Sequence, residues 1–439
     1  MMTEKTRPAD RGNSRRTFLK RAGTLAAILP LAHQSSFANE LFPPIKKTLK
    51  IGLIGCGGRG TGAAVQALRA DPDVQLVAMG DIFEDQVATA YDALMKIEPS
   101  KIKVKDKHKY VGFDAYQKVI DAGVDVVLLA TPPVFRPLHL EAAVNADKHI
   151  FCEKPVAIDP PGIRRVLEAV RKSKAKNLAL MSGFCFRYAN PNRSVFARVR
   201  EGAIGDVVSL SSFRYGGDLS LKPRQAGWSD LEFQLRNWFY YNWMSGDLVI
   251  EQAVHSLDMM SWVMGDIAPE KAIGSGGRQV RIDEEKGNVF DHFAVELTYP
   301  GDVKGYHFAR QQTGVTNRNS VDVVGTGGKM AVEIGSRYEI LGPDPWKYEG
   351  PNNNMYQTEH DELFVSIRSG TPINDGEWMT NSTMIGILAT LAAYSGTEVT
   401  WDRALKSNLT FGPTPEEFHM GMGAQDIPVA RPGSGLITL

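Results

Sequence analysis

The sequence predicts an α/β protein: a doubly wound parallel sheet in the N-terminal half, then an α+β domain built on an open, mainly antiparallel sheet. Three observations carry this. Short apolar runs alternate with helical periodicity between residues 49 and 182, the pattern of parallel strands covered by helices on both faces. From residue 207 onward, strand-like stretches follow one another across turns such as Pro300-Gly301-Asp302. The composition is ordinary for a globular chain of 439 residues, with 43% hydrophobic and 23% charged, enough for two cores.

The elements follow in order. The first 38 residues stand apart: Ser14-Arg15-Arg16-Thr17-Phe18-Leu19-Lys20 precedes an apolar run at 22–32 and then Ser36-Phe37-Ala38, a small-x-small cleavage pattern. This reads as a twin-arginine export signal and predicts a periplasmic protein, with no membrane span once the signal is removed; an uncleaved, anchored form is the alternative. Residues 39–47, with Pro43 and Pro44, read as a linker. The nucleotide-binding domain is placed at 48–183, the second domain at 184–409 and a tail at 410–439. The tail lacks periodicity and reads as an arm for wrapping a neighbour. Helices are expected at 192–202, 246–264, 359–369 and 379–393, and strands at 207–215, 278–282, 293–298, 303–311 and 321–324.

Charge and cysteine content narrow the function. Fifty basic and fifty acidic residues cancel without a block of either sign, which excludes a phosphate-tracking nucleic-acid surface. Three scattered cysteines, Cys56, Cys152 and Cys185, give neither a disulfide framework nor a zinc site, and no metal is expected.

The stretch 50–81 carries the strongest signal. A short apolar strand runs into Gly55-Cys56-Gly57-Gly58-Arg59-Gly60, a helix follows, and a second strand ends at Asp81, 21 residues after Gly60. Gly55, Gly57 and Gly60 match the dinucleotide fingerprint: a tight turn, a backbone open to a pyrophosphate, and close packing of helix on strand. The helix start would present free N–H groups to the phosphates, with Gly58 and Arg59 beside them. Asp81 would accept the ribose hydroxyls and repel a 2′-phosphate, so NAD is expected rather than NADP. Ligands of such sheets sit outside the carboxyl ends of the strands. That places Thr131-Pro132, the start of the next helix with His139, and Glu153-Lys154-Pro155 on the same rim.

At Glu153-Lys154-Pro155 the sequence resembles the Gfo/Idh/MocA oxidoreductases, the glucose-fructose oxidoreductase and inositol dehydrogenase family. The resemblance spans roughly residues 48–400 and rests on the glycine turn, Asp81, Thr131-Pro132-Pro133, Glu153-Lys154-Pro155 and the segment 246–258. In the family that segment reads as a glycine pair, then Asp-x-Gly-x-His-x-x-Asp. Here Glu251 takes the first Asp position, Ala253 the Gly position, and His255 and Asp258 match. The resemblance implies a Rossmann domain followed by an open-faced α/β domain, and a catalytic pair of Lys154 and His255. The residues make chemical sense unaided. A near-neutral histidine suits removal of a hydroxyl proton, and an ammonium beside it suits developing alkoxide charge. Glu251 and His255 are four apart, so one helix face would let the carboxylate orient the imidazole. A satisfied core histidine is the competing reading.

The substrate wall is sought in aromatic and amide groups that suit a sugar ring: Arg187 and Tyr188, Tyr215 at a strand end beside Arg214, Trp238 and Asn242 in the aromatic cluster 236–243, and Asp258. The expected function is oxidation of a CH–OH group of a sugar or glycoside, with NAD held tightly and recycled, because an exported enzyme meets little free nucleotide. A redox-neutral glycosidase is the alternative, weakened by Gln252 where such relatives carry tyrosine. A nucleotide-binding scaffold or sensor is the non-enzymatic one. An exposed sheet face and the family resemblance imply a homodimer or homotetramer.

Overall fold

The computed structural model describes residues 48–435; the expected signal and linker lie outside them. The first sheet contains β1 (Leu49–Ile54), β2 (Val74–Asp81), β3 (Lys109–Val111), β4 (Val126–Leu129), β5 (His149–Cys152) and β6 (Leu180–Ser182). Its order is β3-β2-β1-β4-β5-β6, all parallel. The central β4, Val-Val-Leu-Leu, is buried at every position, as a strand covered on both faces must be. The order reverses between β1 and β4, which opens a crevice at their carboxyl ends. The helix Gly58–Ala70 packs on the sheet through Ala63, Ala64, Ala67 and Leu68, small residues that allow close approach.

The second sheet contains β7 (Val207–Gly216), β8 (Lys271–Gly277), β9 (His292–Tyr299), β10 (Val303–Gln311), β11 (Arg318–Gly325), β12 (Lys329–Glu333), β13 (Arg337–Leu341), β14 (Trp346–Lys347) and β15 (Val399–Thr400). It runs β14-β13-β12-β11-β7-β10-β9-β8-β15, and only β7 and β10 pair in parallel. One face is covered by the helices Val254–Val263 and Gly376–Ser395. The second helix also meets Pro160–Ala175 of the first domain, which explains why it is apolar all round. Alternation along β7 sends Leu210 and Ser212 into this core, while Phe213 and Tyr215 stand on the other, open face with Phe308 and Arg310.

Three expectations are corrected. The strand placed at 278–282 is β8 at Lys271–Gly277. Residues 279–281 instead turn around Asp291, whose Oδ2 accepts their three N–H groups. The helix placed at 246–264 is broken into Leu248–Glu251 and Val254–Val263 at Gln252 and Ala253. The later helix begins earlier, at Met355–Arg368, capped by the Asn354 side chain, and lies along Gly58–Ala70 of the first domain. In the tail, Phe418 packs on Phe135 and Trp243, and Gln425 exchanges hydrogen bonds with Gln234. Among the described residues no helix is long and apolar enough to cross a membrane, and no cluster could hold a metal ion.

Candidate active site

The glycine turn is shaped for a dinucleotide. Gly55 has φ +96°, and a Cβ there would meet the Ala130–Thr131 backbone at 2.7 Å. A Cβ on Gly60 would lie 1.9 Å from Gly55 O, so only glycine lets helix and strand meet. Gly57 and Gly58 face open space, and no side chain caps the helix that starts at Gly58, so its first N–H groups are free for a pyrophosphate. Asp81 closes the turn. Its Oδ2 accepts from Cys56 N at 2.7 Å and its Oδ1 from Phe83 N at 3.0 Å; burial raises its pKa and these bonds oppose the shift. A narrow cleft lined by Asp81, Phe113, Tyr116, Thr131 and Pro132 continues from it, with aromatic rings on its walls. Residues and groove fit the cofactor that the fingerprint implies.

The chemistry centres on three segments that converge at the ends of β5 and β7. Lys154 follows β5, and its Nζ donates to Glu251 O at 2.6 Å and to Glu251 Oε1 at 3.2 Å. Glu251 Oε2 accepts from Gln252 Nε2, and Gln252 Oε1 faces Arg214 Nη2 at 3.4 Å. His255 is half-buried between Phe184 and Phe186. Burial, then the charges of Lys154, Arg214 and Arg59, hold its pKa well below the usual value, so the imidazole is neutral. Its Nδ1 is sealed without a partner, which leaves Nε2 for a ligand. The break at Gln252 and Ala253 takes His255 off the face of Glu251, so the carboxylate braces Lys154 rather than orienting the imidazole.

Behind the lysine lies a buried ion cluster. Arg59 Nε donates to Glu153, its Nη2 to Glu359 Oε1 at 2.8 Å and its Nη1 to Gln66 Oε1 at 2.9 Å. Arg59 and Glu153 thus hold the turn to β5 rather than offering free groups to a cofactor. Gly183 makes room: a Cβ there would sit 2.7 Å from Glu153 Oε2. Burial and the nearby Glu153 charge push the Glu359 carboxyl well above its ordinary range.

Comparison with known proteins agrees with this geometry. Residues 49–181 match the family described as "Oxidoreductase family, NAD-binding Rossmann fold", and residues 193–331 match its C-terminal domain. The chain belongs to the Gfo/Idh/MocA family. The myo-inositol 2-dehydrogenase of Thermotoga maritima is 26% identical over 243 residues, 55% of this chain and 62% of that protein. The inositol 2-dehydrogenase of Rhizobium meliloti is 26% identical over 253 residues, 57% of this chain and 64% of that protein. The matches therefore span under two thirds of those relatives. The crystal structure of an aldose-aldose oxidoreductase from Caulobacter crescentus, complexed with glycerol, superposes with a TM-score of 0.62 at 19% identity, over 80% of this chain and 99% of the other.

Within this Gfo/Idh/MocA chain, most of the expected substrate wall is structural. Arg187 is spent on Asp258 and Asp266 and stacks on Trp378 at 4.0 Å, and Asp258 is fully buried under it with Ser382. Tyr188 donates its hydroxyl to buried Asp375 at 2.6 Å. Asn242 exchanges hydrogen bonds with Asn288 in the core. Trp238 stacks on Phe239 and packs against the second domain's core. Tyr215 points to the open face and covers Arg310. His139 is buried between the rings of Tyr116 and Phe135, with Nδ1 on the Thr131 hydroxyl, so it forms the floor of the cleft beside Asp81; burial first, then Arg136 and Arg165, lower its pKa to about 3. Arg214 and Gln252, named from the sequence only as neighbours of Tyr215 and Glu251, are the residues that face this site. The signal was available in strand parity: with Leu210 and Ser212 inward, Arg214 is inward and Tyr215 outward.

Proposed function

We propose that the chain oxidises a CH–OH group of a sugar, polyol or glycoside with NAD that stays bound between turnovers. The observation that carries this reading is the Lys154 ammonium, braced by Glu251 at the mouth of the dinucleotide crevice and close enough to His255 to depress its pKa. Two of its three N–H groups are taken by Glu251, which leaves one to donate to the reacting oxygen. His255, neutral, takes the hydroxyl proton at Nε2. Lys154 then stabilises the developing oxyanion, and Glu251 keeps the ammonium in place. The bound nicotinamide supplies the hydride acceptor. The names of the inositol dehydrogenase relatives support a polyhydroxylated substrate. The aldose-aldose name of the structural neighbour supports return of reducing equivalents to a second sugar.

Three finer points belong to the same proposal. Asp81 favours NAD over NADP: its charge faces the ribose edge, and Arg236 nearby is already paired with Asp85 and Glu232. The arginine pair at the N-terminus supports export to the periplasm of a protein already loaded with cofactor. The open sheet face supports a homodimer or homotetramer. Elimination chemistry is less favoured, because Gln252 beside Glu251 is an amide that does not titrate.

The test is absorbance at the reduced-nicotinamide band of purified, dialysed protein as sugars and glycosides are added without nucleotide. A change that reverses on adding a carbonyl acceptor is expected. No change with any of them overturns the oxidoreductase reading, and a need for added NAD at every turnover overturns retention. Cofactor released by denaturation and weighed by mass spectrometry should be NAD; finding mainly NADP refutes the Asp81 argument.

A further inference from the structure

Arg214 has a charge without a counterpart. It ends β7 on the covered face, and its guanidinium lies along the strand where Gly216 has no side chain: a Cβ there would come within 3.0 Å of Arg214 Nη1. Among the described residues its one hydrogen bond is the 3.4 Å contact from Nη2 to the neutral Gln252 amide, and it makes no ion pair. The carboxylate whose charge it feels, Glu251, is already engaged by Lys154 on one oxygen and Gln252 on the other. Several arginines of this domain are matched by carboxylates: Arg187 by Asp258 and Asp266, Arg281 by Asp218, Arg193 by Glu362. A half-buried guanidinium pays desolvation without return unless something it can grip arrives.

That something enters from the cleft. Arg214 comes from the substrate-domain sheet, across from the glycine turn, and its charge reaches His255 and Glu251. The rigid fork of a guanidinium matches a planar or tetrahedral oxyanion through two parallel N–H groups. A neutral sugar hydroxyl would leave most of its donors and all of its charge unmatched. Gln252 sets the angle of the fork without neutralising it.

We propose that Arg214 binds an oxyanion carried by the substrate, so that this site acts on anionic sugars, such as sugar acids or sugar phosphates, rather than on neutral ones. The inference rests on the oxidoreductase reading for its chemistry, but not for its binding. An anion seated on Arg214 would fix the ring about a second point, with the reacting carbinol at Lys154 and His255.

The experiment compares D-glucuronate, D-glucose 6-phosphate and D-glucose, and D-galacturonate with D-galactose, on the cofactor-loaded protein. Binding is read as thermal stabilisation and turnover at the nicotinamide band. At least one anion should bind or react about 10²-fold better than its neutral parent, as a charge-assisted bidentate pair implies. The winner tells a carboxylate from a phosphate ester. In Arg214→Met that ratio should collapse toward one, mainly through KM, and Arg214→Lys should recover part of it. Equal response to anion and neutral sugar, no binding by any of them, or a ratio unchanged in Arg214→Met overturns the proposal. Turnover without preference for the anion discards this inference and keeps the oxidoreductase reading; anion-selective binding with no change at the nicotinamide band does the reverse.

Discussion

Two cation–carboxylate groups draw their acids, Glu251 and Asp258, from one short segment and do opposite work. Lys154 with Glu251 joins the first domain's rim to the second domain; Arg187 with Asp258 and Asp266 lies under the same segment. The arginine is consumed: its Nε and both terminal nitrogens donate to two carboxylates, and Trp378 covers its plane. The lysine keeps one donor free and faces the crevice. Residue type alone does not separate the two. Saturation by carboxylates does: a cation whose every nitrogen meets a carboxylate and whose plane is covered holds the fold, and a cation at the crevice with an N–H left over is available for chemistry.

The largest expected effect tests the unsaturated side. Lys154→Ala should lower kcat by about 10²–10⁴-fold while the protein keeps its fold, and His255→Ala should do likewise. Their losses should not add in the double variant, since both act on one oxygen. Steady-state turnover with matched melting curves reads this. Wild-type turnover in either single variant removes that residue from the mechanism.

The saturated side should respond in stability instead. Asp258→Ala leaves Arg187 buried with one carboxylate, which should cost about 3–5 kcal/mol in a denaturant titration. Activity per folded molecule should stay within a few-fold of wild type. A large loss of turnover with an unchanged melting curve would move Asp258 into the site and erase the contrast.

The same contrast explains what the sequence made legible. In the parallel sheet every strand points its carboxyl end at one rim, so finding the end of a strand in the sequence finds a site position. Gly55, Asp81, Thr131 and Lys154 could be placed that way. In the second sheet a position must also be given a face, and a one-residue slip reverses it: Tyr215 was chosen and Arg214 is the inward residue. The break at Gln252 was hidden because residues 248–263 are buried at almost every position, polar ones included, so no apolar stripe marks where the helical phase resets. Glu359 could not be found at all, because a contact to Arg59 across 300 residues leaves no local pattern.

A smaller effect divides two histidines. His255 has a ring nitrogen left for a ligand, whereas His139 is sealed, and burial, with Arg136 and Arg165 behind it, holds its pKa near 3 against 6.5 unfolded. The unfolded chain therefore takes up a proton below about pH 6.5 that the folded chain refuses until about 3. Stability from this group is complete above that window and is lost as pH falls through it. Asp247 and Asp375, lifted to about 6 by burial, act in the opposite sense, so the variant difference is the clean reading. Between pH 7 and pH 5 the wild type should lose about 2 kcal/mol more than His139→Asn. Equal losses in urea titrations at the two pH values would mean that His139 is hydrated.

The smallest effect is the sharpest check on strand parity. Tyr215 and Arg214 are neighbours, yet the pleat sends one to the open face and the other to the crevice. Tyr215 covers Arg310 at 4.3 Å and meets the edge of Phe213 at 5.7 Å. Tyr215→Ala should therefore cost only about 0.5–1 kcal/mol of stability, the value of an exposed cation–π contact, and leave kcat and KM for every sugar where they were. Arg214→Met, one residue away, should do the reverse, with KM changed and stability held or improved because an unmatched charge is gone. If Tyr215→Ala moves KM as Arg214→Met does, β7 is out of register by one residue. The anion would then have to be sought on the open face, among Arg310 and Arg318.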